Sequence, residues 1–253
     1  MGRELRPGPG SMRGLGWLAR VGPAPLDAWR VAMGWSEVAA RSHAKRLERE
    51  GWLGRYPMTR GEGSLFAVTR NGVAMTGVPV RAAGPPAPTW WAHLCGCAWA
   101  AAWLTARGRA IQGCREVIAD PYWSGTVRWE DHKGMHKARH RPDLAWLIKG
   151  RRVPIEVELA QKSEARLKAI LELHADWRAA RAIGGVIYIC GDVEGSDRIR
   201  RTAERVGLRT DGGGLRIDLL ATIKAQALAA CESQRAERAG REMALAGAES
   251  DGG

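Results

Sequence analysis

The chain has 253 residues, 45% of them hydrophobic, which is enough to bury substantial cores and to form two compact units. Its formal net charge of +12 is concentrated early. Residues 1–90 carry 13 Arg and Lys against 6 Asp and Glu, residues 91–190 carry 16 against 10, and residues 191–253 carry 10 against 11. Such a balance points to a polyanionic partner, with double-stranded DNA the first candidate. The most apolar run, Trp90 to Leu104, is shorter than the roughly 20 residues a membrane span needs and contains His93, so a buried helix is expected and a membrane role is excluded.

The opening stretch MGRELRPGPGSMRG, residues 1–14, reads as a flexible basic arm. From Leu15 the pattern becomes helical, with a first helix through Leu15, Leu18 and Val21, a second from Leu26 to Met33, and a third in SEVAARSHAKRLEREGWL. Ser36 is placed to cap the third helix and Gly51 to end it. Two strands, WLGRYPM and LFAVTR, flank the turn TRGEGS and read as a β-hairpin.

Three helices followed by a hairpin predict a winged helix-turn-helix over residues 15–78. The third helix would present Arg41, Ser42, His43, Lys45, Arg46 and Arg49 outward, with Arg55 and Arg60 near the hairpin. A helix fits the DNA major groove, and its Arg and Lys side chains reach phosphates or the acceptor edge of guanine. The competing readings are a winged helix used for protein contact or a basic helix that is only solvated.

Four prolines in VPVRAAGPPAPTW mark a linker over residues 79–90. The long apolar helix follows, then an irregular or strand-like stretch from Ala110, and then the polar segment EDHKGMHKARH, expected to be a loop. Two strands, DLAWLIK and RVPIEVELA, are joined by a turn at GRR. Next come a helix from about Lys162, the strand GGVIYICG, the helix SDRIRRTAERVG and the strand LRIDLL. The fold class is therefore α+β, a winged helix followed by an α/β domain with a mixed sheet over residues 91–222. Residues 223–253 are expected to be an exposed Ala-rich charged tail that ends in disorder, and its helix is the candidate surface for a homodimer.

The five cysteines lack zinc-finger spacing and are expected to be reduced thiols in a cytoplasmic protein. His132, His136 and His140 recur every four residues, but Gly134 and the surrounding charge favour solvated loop histidines. The stretch HRPDLAWLIKGRRVPIEVELAQK draws more attention, because it sets Asp143, Glu156 and Glu158 within two adjacent strands. Alternation would send Ile155, Val157 and Leu159 into the core and the two glutamates together to the other face. Three carboxylates there would make an oxygen-rich site of the kind Mg²⁺ prefers, with Lys162 able to neutralise developing charge during phosphodiester hydrolysis. The competing reading is ordinary surface ion pairing with Arg139, Arg141, Arg151 or Arg166.

RPD, a strand and then EVELAQK resemble the PD-(D/E)XK nuclease fold. The resemblance implies Asp143 and Glu156 as metal ligands and gives position 158 the role of a lysine. Here that residue is Glu158, so either Glu158 replaces the lysine or Glu158 is itself a ligand and Lys162 is the displaced lysine. Glu116 resembles an acidic residue that some members contribute from earlier in the fold. Over residues 15–220 the arrangement is similar to the replication-relaxation proteins of plasmids and mobile elements, which implies a role on plasmid or conjugative-element DNA. Two functions stand at this point: a Mg²⁺-dependent DNA endonuclease or nicking accessory, and a non-catalytic replication, transfer or transcription regulator built on a degenerate nuclease fold.

Overall fold

A computed structural model of the protein describes residues 6–59 and 63–250. It begins with helix α1 (Pro9–Val21), strand β1 (Ala24–Pro25) and helices α2 (Leu26–Met33) and α3 (Glu37–Arg49). Strands β2 (Leu53–Pro57) and β3 (Ser64–Val68) and helix α4 (Arg70–Thr76) follow. The three strands form a small antiparallel sheet in the order β1-β3-β2. Ser36 caps α3 by accepting from the Ala39 N–H at 3.2 Å.

The expected basic arm differs from the structure. Helix α1 starts at Pro9, a residue suited to the first helical turn, and Ser11 and Gly14 are buried. Gly14 lets the ring of Trp29 approach, and its carbonyl accepts from Trp29 Nε1 at 3.1 Å. Directly after β3, the Thr69 side chain caps α4 by accepting from the Gly72 N–H at 3.1 Å.

The second part contains α5 (Trp91–Thr105), β4 (Ala110–Gln112), α6 (Cys114–Ala119), β5 (Gly125–Asp131) and β6 (Gly134–His140). It continues through β7 (Leu144–Ile148), β8 (Arg151–Glu158), α7 (Glu164–Ala179), β9 (Val186–Cys190), α8 (Val193–Arg205), β10 (Leu215–Leu219) and α9 (Leu220–Ser250). Five strands form a mixed sheet in the order β10-β9-β8-β7-β4. β8, β9 and β10 run parallel, whereas β7 is antiparallel to both β8 and β4. The β7–β8 connection is a two-residue turn in which Lys149 and Gly150 have φ of 47° and 76°. Both lie in the left-handed region that tight hairpins require and that glycine adopts without strain.

The polar segment expected to be a loop is instead the hairpin β5–β6, with seven paired positions from Gly125↔His140 to Asp131↔Gly134. One face alternates inward, with Val127 and Trp129 of β5 and Ala138 of β6 packed on Ala169, Ile170 and Leu173 of α7, and the Trp129 and His136 rings stack at 5.1 Å across the strands.

On one face of the large sheet, Ile155, Val157, Ile187 and Ile189 pack with α5. On the other, Tyr188 and Cys190 pack with Leu167 and Leu171 of α7 and Ile199 of α8. The first of these cores runs without a break into Leu15, Leu18, Trp29 and Leu47 of the N-terminal helices. Trp17 Nε1 donates to Thr105 Oγ1 at 3.1 Å across the same boundary.

Residues 223–231 belong to this core and not to an exposed tail. Ile223, Ala227 and Cys231, spaced by four along α9, are buried with α5. Trp103 Nε1 donates to Gln226 Oε1 at 3.0 Å beside them. The helix continues to Ser250, across most of the stretch expected to be disordered.

Candidate metal and nucleic-acid sites

On α3, the residues Val38, Arg41, Ser42, Lys45 and Arg49 are exposed along one side of the helix. Val38 keeps 79% of its surface in solvent. Arg41 pairs with Glu37 at 2.7 Å, and Arg49 with Glu50 at 3.1 Å. Arg46 is exposed and donates to Ser11 Oγ, and Arg55 on β2 donates to Ser64 Oγ at 3.0 Å. Arg60 lies outside the described residues. His43 turns inward, against the outward placement expected for it, because its ring stacks on Trp35 at 4.2 Å and bonds to Ser11 at 2.7 Å. Burial, reinforced by the nearby Arg46 charge, pushes its pKa down.

A groove of about 740 Å³ lies between α2, α3 and the β2–β3 hairpin, lined by Arg30, Arg41, Lys45 and Arg55 together with Asp27, Glu37 and Glu48. The acidic members hold two of the guanidinium groups in place, since Asp27 pairs with Arg30 at 2.8 Å and Glu37 with Arg41.

In the large sheet, Glu156 and Glu158 point to one face, as alternation requires, but that face is covered by α7 and α8. The two glutamates are only 4% and 5% exposed. Their environments then diverge. Glu156 Oε1 accepts from His140 Nε2 at 2.9 Å, and His174 Nε2 stands 3.3 Å from the same oxygen. That second approach is off the direction a hydrogen bond needs, so the buried His174 Nε2 has no hydrogen-bond partner. Burial alone would raise the Glu156 pKa, but the His140 charge and hydrogen bond, with His174 behind them, hold it well below the usual carboxylate range. Burial pushes His174 down, and the Tyr188 hydroxyl contacts its Nδ1 at 3.3 Å. Glu158 Oε2 accepts from Lys162 Nζ, while Glu158 Oε1 is buried without a partner.

Asp143 engages the opposite side of the sheet. Its Oδ2 accepts from the Val157 N–H at 2.8 Å, and its Oδ1 takes His93 Nε2 of α5 at 3.0 Å. This hydrogen bond raises the His93 pKa against the effect of burial. Cys97 Sγ lies 3.5 Å from the same His93 nitrogen. Because one nitrogen serves both Asp143 and Cys97, the three do not form a nucleophile-base-orienter relay, which uses both ring nitrogens. A hydrogen bond with Cys114, and then burial, pushes the Cys97 thiol well above its ordinary value and makes it a poor nucleophile.

Among the described residues, two sets of three metal-ligating side chains have donor atoms within 4.8 Å of one another: His93, Cys97 and Asp143, and His140, Glu156 and His174. Asp143, Glu156 and Glu158 do not form such a set. Mg²⁺ calls for oxygen donors in near-octahedral order, yet here an oxygen of each carboxylate is taken by His93, His140 or Lys162 and the closest co-donors are imidazole and thiol. The donor chemistry does not fit Mg²⁺.

No family model matches the chain. No curated protein matches it either. Among solved structures, it is similar to the crystal structure of protein VC1899 from Vibrio cholerae, at 11% sequence identity and a TM-score of 0.31. That likeness covers 90% of this chain and 57% of the other, so the chain spans little more than half of its length. At such a score it carries no argument about fold or function.

Glu116 is remote in role from these clusters. It caps α6 by accepting from the Gly113 N–H at 2.9 Å and pairs with Arg20 of α1 at 3.1 Å. None of the five cysteines is in a disulfide. No described helix is long and apolar enough to cross a membrane.

His174 carries no motif, and sequence reasoning passed over it. The available signal was its place on a helix stripe, three residues after Leu171 and seven after Leu167, where a polar side chain must be buried. His140 was legible as a histidine but not as a partner of Glu156, because that contact depends on the unforeseen β5–β6 hairpin.

Proposed function

We propose that this chain is a double-stranded-DNA-binding protein that contacts DNA through α3 and the β2–β3 hairpin, arranged as a winged helix. The observation that carries the reading is the exposed stripe Val38, Arg41, Ser42, Lys45 and Arg49 beside the groove that Arg55 helps to line. With α3 in the major groove, Lys45, Arg46 and Arg55 would meet phosphates, which position the protein. Arg41 and Ser42 would meet base edges, and Val38 would offer an apolar contact for a thymine methyl group.

In this reading the five-stranded domain is a nuclease-like platform that serves regulation of replication, transfer or transcription and does not cut. Support comes from the carboxylates, each held by a protein cation or imidazole in place of an open metal site. The resemblance at RPD and EVELAQK extends the proposal to plasmid or conjugative-element DNA.

A second reading, a metal-dependent endonuclease, is favoured by one observation. Glu158 Oε1 is buried without a partner beside Lys162, at the position where the resemblance puts a functional side chain. One experiment separates the two. Supercoiled plasmid is incubated with the protein and Mg²⁺ or Mn²⁺, in parallel with the Asp143→Asn and Glu158→Gln variants, and duplex binding is measured on the same samples. Binding without nicking is expected. Nicking that disappears in both variants would establish the nuclease, and absence of duplex binding at low salt would refute both readings.

A further inference from the structure

We infer that His140, Glu156 and His174 form a binding site for one transition-metal ion of the zinc class, a site independent of the DNA reading. The three side chains come from β6, β8 and α7, and their donor atoms lie within 4.8 Å of one another. Zinc bonds to imidazole nitrogen and carboxylate oxygen are about 2.0–2.2 Å long, so tetrahedral ligands stand about 3.3 Å apart. The measured separations from Glu156 Oε1 are 2.9 Å to His140 Nε2 and 3.3 Å to His174 Nε2. Both are near that spacing, and the third edge, between His140 and His174, lies within 4.8 Å, so rotation of the two imidazoles closes the set onto one ion.

The second observation is the state of His174. Its side chain is fully buried, and its Nε2, 3.3 Å from Glu156 Oε1 but off the line of a hydrogen bond, has no hydrogen-bond partner among the described residues. The other nitrogen, Nδ1, meets the Tyr188 hydroxyl at 3.3 Å. When Nδ1–H donates to Tyr188, Nε2 holds a bare lone pair 3.3 Å from a carboxylate oxygen in a buried site. Two electron-rich atoms so placed repel, and a cation between them removes the repulsion. A ligating histidine whose remaining ring nitrogen is fixed by an outer hydrogen bond is the ordinary construction of a protein metal site.

Two imidazoles and one carboxylate select zinc-class ions over Mg²⁺ or Ca²⁺. Three protein ligands leave a fourth position for an exogenous ligand. His140, with 11% of its side chain exposed against 5% for Glu156 and none for His174, marks the side from which an ion enters. The His93, Cys97 and Asp143 cluster lacks this signature, because His93 Nε2 is already engaged by Asp143.

The test uses the full chain, stripped with a chelator and dialysed against Zn²⁺ for elemental analysis and against Co²⁺ for visible spectroscopy. The expected result is one ion per chain and the d–d absorption of a low-symmetry Co²⁺ site, both retained in Asp143→Asn and lost in His140→Ala. His140 is the most accessible ligand, so its variant keeps a readable fold, which circular dichroism confirms. Tyr188→Phe, which removes a positioning residue, is expected to weaken Co²⁺ binding about 10- to 100-fold. No retained metal in the parent, or undiminished metal in a folded His140→Ala protein, would overturn the inference. So would loss of the ion in Asp143→Asn alone, which would move it to the other cluster.

Discussion

If α3 and the hairpin bind DNA, the salt dependence of binding counts the cations that meet phosphate. Among the described residues Lys45, Arg46 and Arg55 have no carboxylate partner, whereas Arg41 and Arg49 are engaged by Glu37 and Glu50. With Arg41 on base edges, between three and four phosphates are therefore neutralised, which gives a slope of about −2.7 to −3.6 for log Kobs against log salt. Raising salt from about 50 to about 200 mM should then weaken binding roughly 40- to 150-fold. The double variant Lys45→Ala/Arg55→Ala should flatten the slope by about 1.8, the contribution of two phosphate contacts. Fluorescence anisotropy with a labelled duplex, titrated at four or more salt concentrations, reads both quantities. A slope unchanged by the double substitution would refute the placement of α3 and the hairpin on DNA, even if the protein bound DNA by another surface.

Other outcomes follow from the large sheet and its helices. Lys162→Ala leaves Glu158, whose side chain is 3% exposed, without its cation, and should cost about 3–5 kcal/mol. At about 2–4 °C per kcal/mol, its melting midpoint should drop by at least about 6 °C, and adding Glu158→Gln should restore much of the loss. An unchanged midpoint would mean that the pair does not hold β8 to the start of α7. For Asp120, burial works to raise the pKa, but hydrogen bonds from Gln112, the Tyr122 N–H and Arg152 outweigh it and hold the carboxyl below its ordinary 3.8. Its contribution is thus present above that pH and is lost as pH falls below it through the lower folded-state pKa. Asp120→Asn should be less stable than the parent at neutral pH, with the gap closing toward pH 2 in urea unfolding curves, about two units below the ordinary value. A gap that widens in acid would contradict the sign. Ending the chain after Leu219 strips α9 from α5 and should abolish folding, since Ile223 alone accounts for about 1.5–3 kcal/mol of burial and Trp103 loses its Gln226 partner. Ending it after Gly240 should leave a cooperative melt, because residues 232–240 are exposed.

Much of the secondary structure is legible because local physics decides it. Ser36 declares the start of α3 by offering an oxygen to an otherwise unpaired N–H. Leu144 to Ile148 and Arg151 to Glu158 declare strands joined by a short turn, although the turn falls at Lys149 and Gly150 and not at GRR. The β5–β6 hairpin is hard to read because its inner face carries only Val127, Trp129 and Ala138 among polar and charged residues, too few for a clear period-two apolar mark. Helix α9 was read as a tail because its buried stripe, Ile223, Ala227 and Cys231, consists mostly of small side chains diluted among charges.

The candidate site divides in the same way. The sequence by itself determined that Glu156 and Glu158 share a face, that Asp143 opens the neighbouring strand, and that α3 carries a basic outer side. These follow from the two-residue period of a strand and the 3.6-residue period of a helix. Only the tertiary structure decided what each carboxylate meets: His140 and His174 for Glu156, Lys162 for Glu158, and His93 for Asp143. His93 lies 50 residues before Asp143 in the chain, and His174 lies 18 after Glu156. No local periodicity specifies such pairs. They are set by which helix packs on which face of the sheet, and that is settled by the burial of the whole core.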